Sequence, residues 1–170
     1  MLLEDFGDNL YAKYLLNPRC DENILYKTAI DVLCQLSKIK DFDHIPEYNL
    51  EFFIQGIQVF IDWYIPFISN SNLSTTEKKV FISIWSELFS RLQESAKGLM
   101  DFQNYNLMWL SGQRGLQKCG LLDFQDARVG PLSYDLAALL EDARRDYPLS
   151  SQKRLLFLEY YMSKMNIKDR

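Results

Sequence analysis

The chain has one histidine and three cysteines in 170 residues, which leaves few of the usual metal ligands. The cysteines are odd in number and lack the paired spacing of a zinc site, so they predict reduced thiols in a cytoplasmic protein. The net charge of −4 offers no basic surface for nucleic acid. We expect no secretory signal, and no apolar run that approaches membrane-spanning length, so no membrane partner is predicted.

Both common glycine motifs for nucleotide phosphates, G-x-G-x-x-G and G-K-[ST], are also missing from the sequence. Gly112, Gly115 and Gly120 cluster, but no Lys-Ser/Thr pair follows them, so they are interpreted as turn glycines. The sequence is, however, rich in apolar residues: 48% of its residues are hydrophobic and 14% are aromatic. At this length, the composition predicts one folded domain with a packed core.

Helix-capping signals recur along the chain and predict a mainly α-helical fold. Asp21, Asn49 and Ser74 each stand where the side chain of an N-cap is expected. Glu77 follows Ser74 at the spacing of a capping box. A last amphipathic helix is predicted over Ser150–Met165.

Two of these helices have predicted ends. The helix that starts after Asn49 should reach Tyr64 and stop near Pro66, because proline cannot continue a helix interior. The helix that starts after Ser74 should extend to about Ala96. Its buried face should be formed by Val80, Phe81, Ile84, Trp85, Leu88, Phe89 and Leu92, which recur at helical spacing.

Between the last two helices, two short apolar runs are joined by a glycine-containing polar turn, which predicts a β-hairpin. Pairing Leu107 with Leu122 would place Asn106 directly opposite Asp123. Cross-strand Cβ atoms lie roughly 4.5–5.5 Å apart, close enough for both side chains to hold one metal ion. Asp101 lies in the loop that leads into the same end of the hairpin. The sequence therefore predicts three oxygen-bearing side chains at one mouth of the hairpin.

This arrangement has a chemical interpretation. Phosphoryl transfer uses an Asp to accept the proton of the attacking hydroxyl, and Asn and Asp ligands for the Mg²⁺ on the phosphates. The pattern D-x-x-x-x-N, then a strand, then D-F runs here from Asp101 to Asn106 and on to Asp123-Phe124. The alternative is a polar loop and a polar turn that flank an ordinary hairpin. The combined pattern favours the phosphoryl-transfer interpretation.

The segments NLMWL and GLLDFQDARVGPLSYDLAALLEDARRD resemble the aminoglycoside phosphotransferase family, within the kinase-like superfamily. The likeness is greatest to bacterial cell-wall amino-sugar kinases, which phosphorylate N-acetylmuramate and N-acetylglucosamine. The resemblance implies the mainly α C-terminal lobe of a protein-kinase-like fold, with a β-hairpin at the catalytic site. It also implies ATP and Mg²⁺ as cofactors, a sugar as substrate, Asp101 as catalytic base, and Asn106 and Asp123 as metal ligands.

Three further positions take an expected role from the resemblance. Glu4 and Phe6 would bind adenine through the backbone of the hinge between two lobes. Asp135 would brace the catalytic loop by hydrogen bonds, although an acidic residue in the first turn of a helix can also serve the helix dipole. Residues 1–8 would be a hinge remnant, and residues 9–170 a helical lobe whose nucleotide lobe is absent and whose C-terminus is cut.

The chain also departs from the family pattern around the expected base. Leu99 and Gln103 stand where histidines are usual, and Met100 replaces an arginine or glycine. Three functions therefore stay open: a sugar phosphotransferase whose N-terminal lobe comes from a longer reading frame or a second chain, an inactive remnant or pseudokinase, and an interaction module. The last would associate with itself or with a partner through apolar surface. We expect little or no kinase activity from this chain alone.

Overall fold

The computed structural model describes residues 4–39, 44–92, 96–98, 101–142 and 149–167. The described part of the chain is mainly helical and contains small two-stranded antiparallel sheets. In chain order its elements are α1 Tyr11–Tyr14, α2 Glu22–Leu36, α3 Leu50–Val59, a π-helical turn Phe60–Tyr64, α4 Ile65–Ser69, α5 Thr75–Ser90, β1 Ala96–Gly98, β2 Leu107–Trp109, a 3₁₀ turn Gly115–Lys118, β3 Cys119–Leu121, β4 Arg128–Gly130, α6 Leu132–Leu140 and α7 Ser151–Met165.

The predicted caps are confirmed. The Asp21 carboxylate accepts hydrogen bonds from the first backbone N–H groups of α2, and Asn49 does the same for α3. Ser74 and Glu77 form the reciprocal capping box of α5, and Ser150 caps α7. These bonds satisfy backbone donors that have no partner within the helix, which is why local sequence fixes where the helices begin.

The core lies where α2, α6 and α7 meet the β2–β3 hairpin. The fully buried ring of Tyr26 on α2 stacks on that of Phe157 on α7, with ring centroids 4.8 Å apart. Tyr11 on α1 packs edge-on against Trp109 of β2. The contact of Tyr11 with Trp109 therefore joins the hairpin to α1 within the core.

Two predicted helix ends are wrong. The helix from Asn49 does not stop near Pro66, because the chain passes through a π-helical turn at Phe60–Tyr64 and continues as α4, which contains Pro66. The helix from Ser74 ends at Ser90 rather than near Ala96. Ala96 instead begins β1, whose three residues pair with β4. Because β1 and β4 are far apart in the sequence, no local sequence pattern predicts their pairing.

The predicted burial of α5 is half right. Phe81, Trp85 and Phe89 pack on aromatic rings of α3 and the π-helical turn, with centroid separations of 4.9 to 6.0 Å. No side chain of α5 is fully buried, however. Four residues expected inside are 45 to 54% exposed, namely Val80, Ile84, Leu88 and Leu92. This helix has a second apolar face that the described residues leave uncovered.

The expectation that no apolar run approaches membrane-spanning length is also wrong. The continuous helical stretch Leu50–Ser69 has 20 residues and a mean hydropathy of 1.2, so it could cross a membrane by length and composition. Only 6% of it is buried within the described part of the protein. It is therefore a largely exposed apolar helix.

Candidate active site

The β2–β3 hairpin forms as predicted, but its register differs by one residue. Leu107 pairs with Leu121, not with Leu122. The backbone N–H of Leu122 donates to the carbonyl of Asn106 at 2.9 Å, so Leu122 is the residue opposite Asn106. A shift of one residue reverses which side of a strand each side chain occupies. The expected direct pairing of Asn106 with Asp123 is therefore wrong.

Asp123 lies one residue beyond that pair, where the chain leaves the hairpin. Its backbone has a φ of +56°, a left-handed conformation that is uncommon for residues other than glycine. Its carboxylate accepts a hydrogen bond from the side-chain amide of Gln125. Asp123 is exposed and directly follows Leu122, the residue that is bonded to Asn106.

Asp101 and Asn106 are in direct contact. The Asn106 Nδ2 group donates to the Asp101 carboxylate at 2.8 Å and to the Asp101 backbone carbonyl at 3.0 Å. The second carboxylate oxygen of Asp101 accepts from the Gln103 side-chain amide at 2.5 Å. Both oxygens of this half-buried carboxylate are thus held in place. Pre-organisation of this kind is what a catalytic base requires.

Gln103 is the site residue that sequence reasoning missed. It was noted only as a replacement for histidine, whereas its buried side chain orients Asp101. The sequence feature that could have indicated this role is the position of Gln103 two residues after Asp101, because polar side chains in turns often form such local hydrogen bonds.

The donor set suits magnesium better than zinc. Within the described ranges, no group of three or more His, Cys, Asp or Glu side chains is placed to hold a metal ion. Mg²⁺ is usually bound by one or two carboxylates, with substrate phosphates and water completing the octahedron. Asn106 donates through Nδ2, so its Oδ1 is the atom that could coordinate a cation, together with the exposed carboxylate of Asp123. The role of Asn106 and Asp123 as metal ligands stays a prediction.

The chain at the end of the predicted hinge segment, and just after it, lies along the hairpin. The carbonyl of Asn9 accepts from the N–H of Trp109 at 2.7 Å, and Leu10 forms an isolated bridge with Met108. The ring of Phe6 sits over Gly120, where an added Cβ would lie 2.8 Å from two ring carbons. The segment with Glu4 and Phe6 therefore borders the candidate site, and adenine binding by their backbone stays a prediction.

Replacing Gly120 by alanine should test this contact. The new methyl group would overlap the Phe6 ring and press on Met108, whose Cβ lies 3.3 Å away. Overpacking of this type costs about 1–3 kcal/mol. We expect a lower urea midpoint in equilibrium unfolding, and Gly112→Ala is the matched control because its added Cβ meets no atom within 4 Å. Equal midpoints for the two variants would contradict the packing of Phe6.

Asp135 is fully buried in the first turn of α6. This helix packs against β1, the strand that precedes Asp101 in the chain. A buried carboxylate is stable only when hydrogen bonds or charges compensate its lost hydration. The predicted role of Asp135 as a brace for the catalytic loop stays a prediction, while its burial makes a purely solvated helix-dipole role unsuitable.

Comparison with known proteins identifies the class. The model of the phosphotransferase enzyme family (APH) matches residues 19–161, most of the chain. The chain belongs to this family. Its mainly helical fold agrees with the resemblance found in the sequence.

Among curated proteins, the chain is similar to enzymes named N-acetylmuramate/N-acetylglucosamine kinase. The protein of Caulobacter vibrioides is 29% identical over 173 residues, which cover 95% of this chain and 47% of the relative. That of Neisseria meningitidis serogroup B is 30% identical over 147 residues, with 84% and 42% covered. That of Pseudomonas aeruginosa is 29% identical over 154 residues, with 87% and 42% covered. The chain thus spans less than half the length of these relatives.

Proposed function

We propose that this chain carries the catalytic half of an ATP-dependent phosphotransferase that acts on a hydroxyl group of an amino sugar. The observation that supports this most is the contact of Asp101 with Asn106 at the mouth of the hairpin. It joins a candidate base to a candidate metal ligand in one rigid unit. The sugar is proposed from the names of the relatives, whose matched parts cover nearly all of this chain.

In the proposed reaction, Asp101 accepts the proton of the sugar hydroxyl as the hydroxyl oxygen bonds to the γ-phosphorus of ATP. The bond from that phosphorus to the bridging oxygen breaks, and ADP leaves. Asn106 and Asp123 would hold Mg²⁺, which neutralises the charge on the phosphates. Gln103 and Asn106 keep the Asp101 carboxylate directed while its proton is gained and then released.

A graft tests the proposal. We would replace the matched segment of the Caulobacter kinase with this chain, so that the rest of the relative is supplied unchanged. Incubation with Mg·ATP and N-acetylmuramate or N-acetylglucosamine should yield a phosphorylated sugar, detected by mass spectrometry. A folded graft that phosphorylates neither sugar would contradict the proposal and favour an inactive remnant. Circular dichroism and a cooperative melting transition would establish that the graft is folded.

A further inference from the structure

Two antiparallel strand pairs enclose the loops that carry the candidate site. The β2–β3 hairpin is one pair, and in the other, β1–β4, Gly98 lies opposite Arg128. Asp101 follows Gly98 by three residues, and Asp123 precedes Arg128 by five residues. The chain from β1 to β4 therefore closes on itself, with Asp101 and Asp123 in the two connections between the strand pairs. A displacement of one pair relative to the other would change the separation of these two carboxylates.

The β1–β4 pair is attached to helix α3 as well as to the core. Its strand β1 contacts α2 and α6, whereas the β2–β3 hairpin packs on α1 and α2. The N–H of Val129 in β4 donates to the carbonyl of Pro46 at 2.9 Å, and the N–H of Tyr48 donates to the carbonyl of Val129 at 2.7 Å. Strand β4 thus lies between β1 and residues 46–48. Because residues 46–48 lead into α3, β4 connects this helix to the candidate site.

Arg128 reinforces this connection through its side chain. Its guanidinium carbon lies 3.6 Å from the centroid of the Phe52 ring, in the first turn of α3. At this distance the planar guanidinium group stacks on the face of the ring. Its Nη1 also donates to the carbonyl of Glu47 at 3.5 Å. The half-buried arginine therefore joins β4 both to the start of α3 and to the segment before it.

The surroundings of the guanidinium group favour a positioning role over phosphate binding. Arginine binds phosphate best through two adjacent N–H groups, which are either Nε with one Nη or the two Nη groups. In Arg128, Nε is buried within the described part of the protein, and Nη1 already donates to Glu47. Neither pair of N–H groups is therefore fully open to a substrate.

We propose that Arg128 is a positioning residue, which acts through its contact with Phe52 to hold the β1–β4 pair and thereby the spacing of Asp101 and Asp123. Its effect on the site loops can be measured without any reaction. Its effect on catalysis rests on the proposed phosphotransferase function, in which Asp101 must reach the sugar hydroxyl while Asp123 holds the metal on the phosphate that is attacked.

Hydrogen exchange of the chain itself, followed by mass spectrometry, tests the effect on the loop. The N–H groups of Gln103 and Asn106 donate to carbonyls within the loop of residues 101–106. Arg128→Ala should speed exchange in this loop about five-fold or more relative to the β2–β3 hairpin, because a local opening exposes only the released segment. Arg19→Ala is the matched control, since this exposed arginine lies between α1 and α2, and it should change neither rate. An equal change in loop and hairpin, or no change, would overturn the proposal.

The grafted enzyme tests the effect on catalysis. Arg128→Ala and Phe52→Leu should each lower kcat about ten-fold or more, because a shift of about 1 Å in a catalytic group can cost about 100-fold. Arg128→Lys should lose as much as Arg128→Ala, since an ammonium group keeps the charge but does not stack as a plane. The double variant Arg128→Ala/Phe52→Leu should match the slower single variant within about two-fold, because both substitutions break one contact.

The kinetic results that would overturn the role of Arg128 differ from those that would contradict the proposed function. Full kcat for Arg128→Lys would show that charge is what matters, and multiplied losses in the double variant would show that Arg128 and Phe52 act separately. A rise in KM alone for Arg128→Ala would place the arginine against a substrate. An unsubstituted graft without activity would contradict the proposed function instead, and the exchange rates would still decide whether Arg128 holds the loop.

Discussion

Asp101→Asn is expected to slow sugar phosphorylation by the grafted enzyme by about 10²–10⁴-fold, the usual contribution of a general base. The replacement preserves the shape of the side chain but removes its capacity to take a proton. Asp101 is the group whose two oxygens are fixed by Gln103 and Asn106, so the lost function would be that of an already oriented carboxylate. The effect should appear in kcat, with little change in KM for either substrate.

The measurement is a steady-state rate with Mg·ATP and sugar near saturation. Gln103→Leu is the companion variant, because it keeps the carboxylate and removes only one of its hydrogen bonds. We expect a smaller loss of kcat for Gln103→Leu than for Asp101→Asn. Asp101→Asn with more than a tenth of the parent kcat would rule out Asp101 as the base, provided that both proteins melt at similar temperatures.

Tyr26→Ala is expected to lower the free energy of unfolding by about 3–5 kcal/mol, the cost of removing a large buried aromatic ring. Tyr26 is fully buried and stacks on Phe157, so the deletion leaves a cavity between α2 and α7. Its hydroxyl also accepts a hydrogen bond from the Asn104 side chain at 3.1 Å. Asn104 belongs to the loop between Asp101 and Asn106, which ties the core to the candidate site.

Urea unfolding of Tyr26→Ala and Tyr26→Phe separates these two contributions. The phenylalanine variant keeps the ring and leaves the buried Asn104 amide without this acceptor, which costs about 1–3 kcal/mol. We therefore expect an intermediate midpoint for Tyr26→Phe. Stability of Tyr26→Ala within about 1 kcal/mol of the wild type would contradict the packing of α2 on α7.

Features that depend on neighbouring residues could be predicted from the sequence. The caps at Asp21, Asn49 and Ser74 form because a side-chain oxygen reaches a backbone N–H two or three residues ahead. The existence of the hairpin followed equally from two apolar runs and a turn. The contact of Asp101 with Asn106 spans only five residues, so the motif could indicate it.

Features that depend on distant partners could not be predicted. The hairpin register differs from the expected one, and Asp123 has a left-handed backbone conformation that its residue type does not predict. The strand β1 forms only by pairing with β4, so the sequence predicted the end of a helix near Ala96 and no strand there. Ile84 and Leu88 have the right spacing to be buried, but burial also requires a partner element, which the pattern of one helix cannot supply.

The most direct test of the account is the binding of Mn²⁺·ATP by the grafted enzyme, which carries the wild-type segment or one of its variants, with Mn²⁺ standing in for Mg²⁺. Electron paramagnetic resonance of free Mn²⁺ would give the affinity of the wild type, Asp123→Ala and Asp101→Asn. If Asn106 and Asp123 hold the metal, Asp123→Ala should bind at least ten-fold more weakly, while Asp101→Asn should bind like the wild type. Equal affinity of Asp123→Ala and the wild type, or no nucleotide-dependent binding of Mn²⁺ by any of them, would contradict the account.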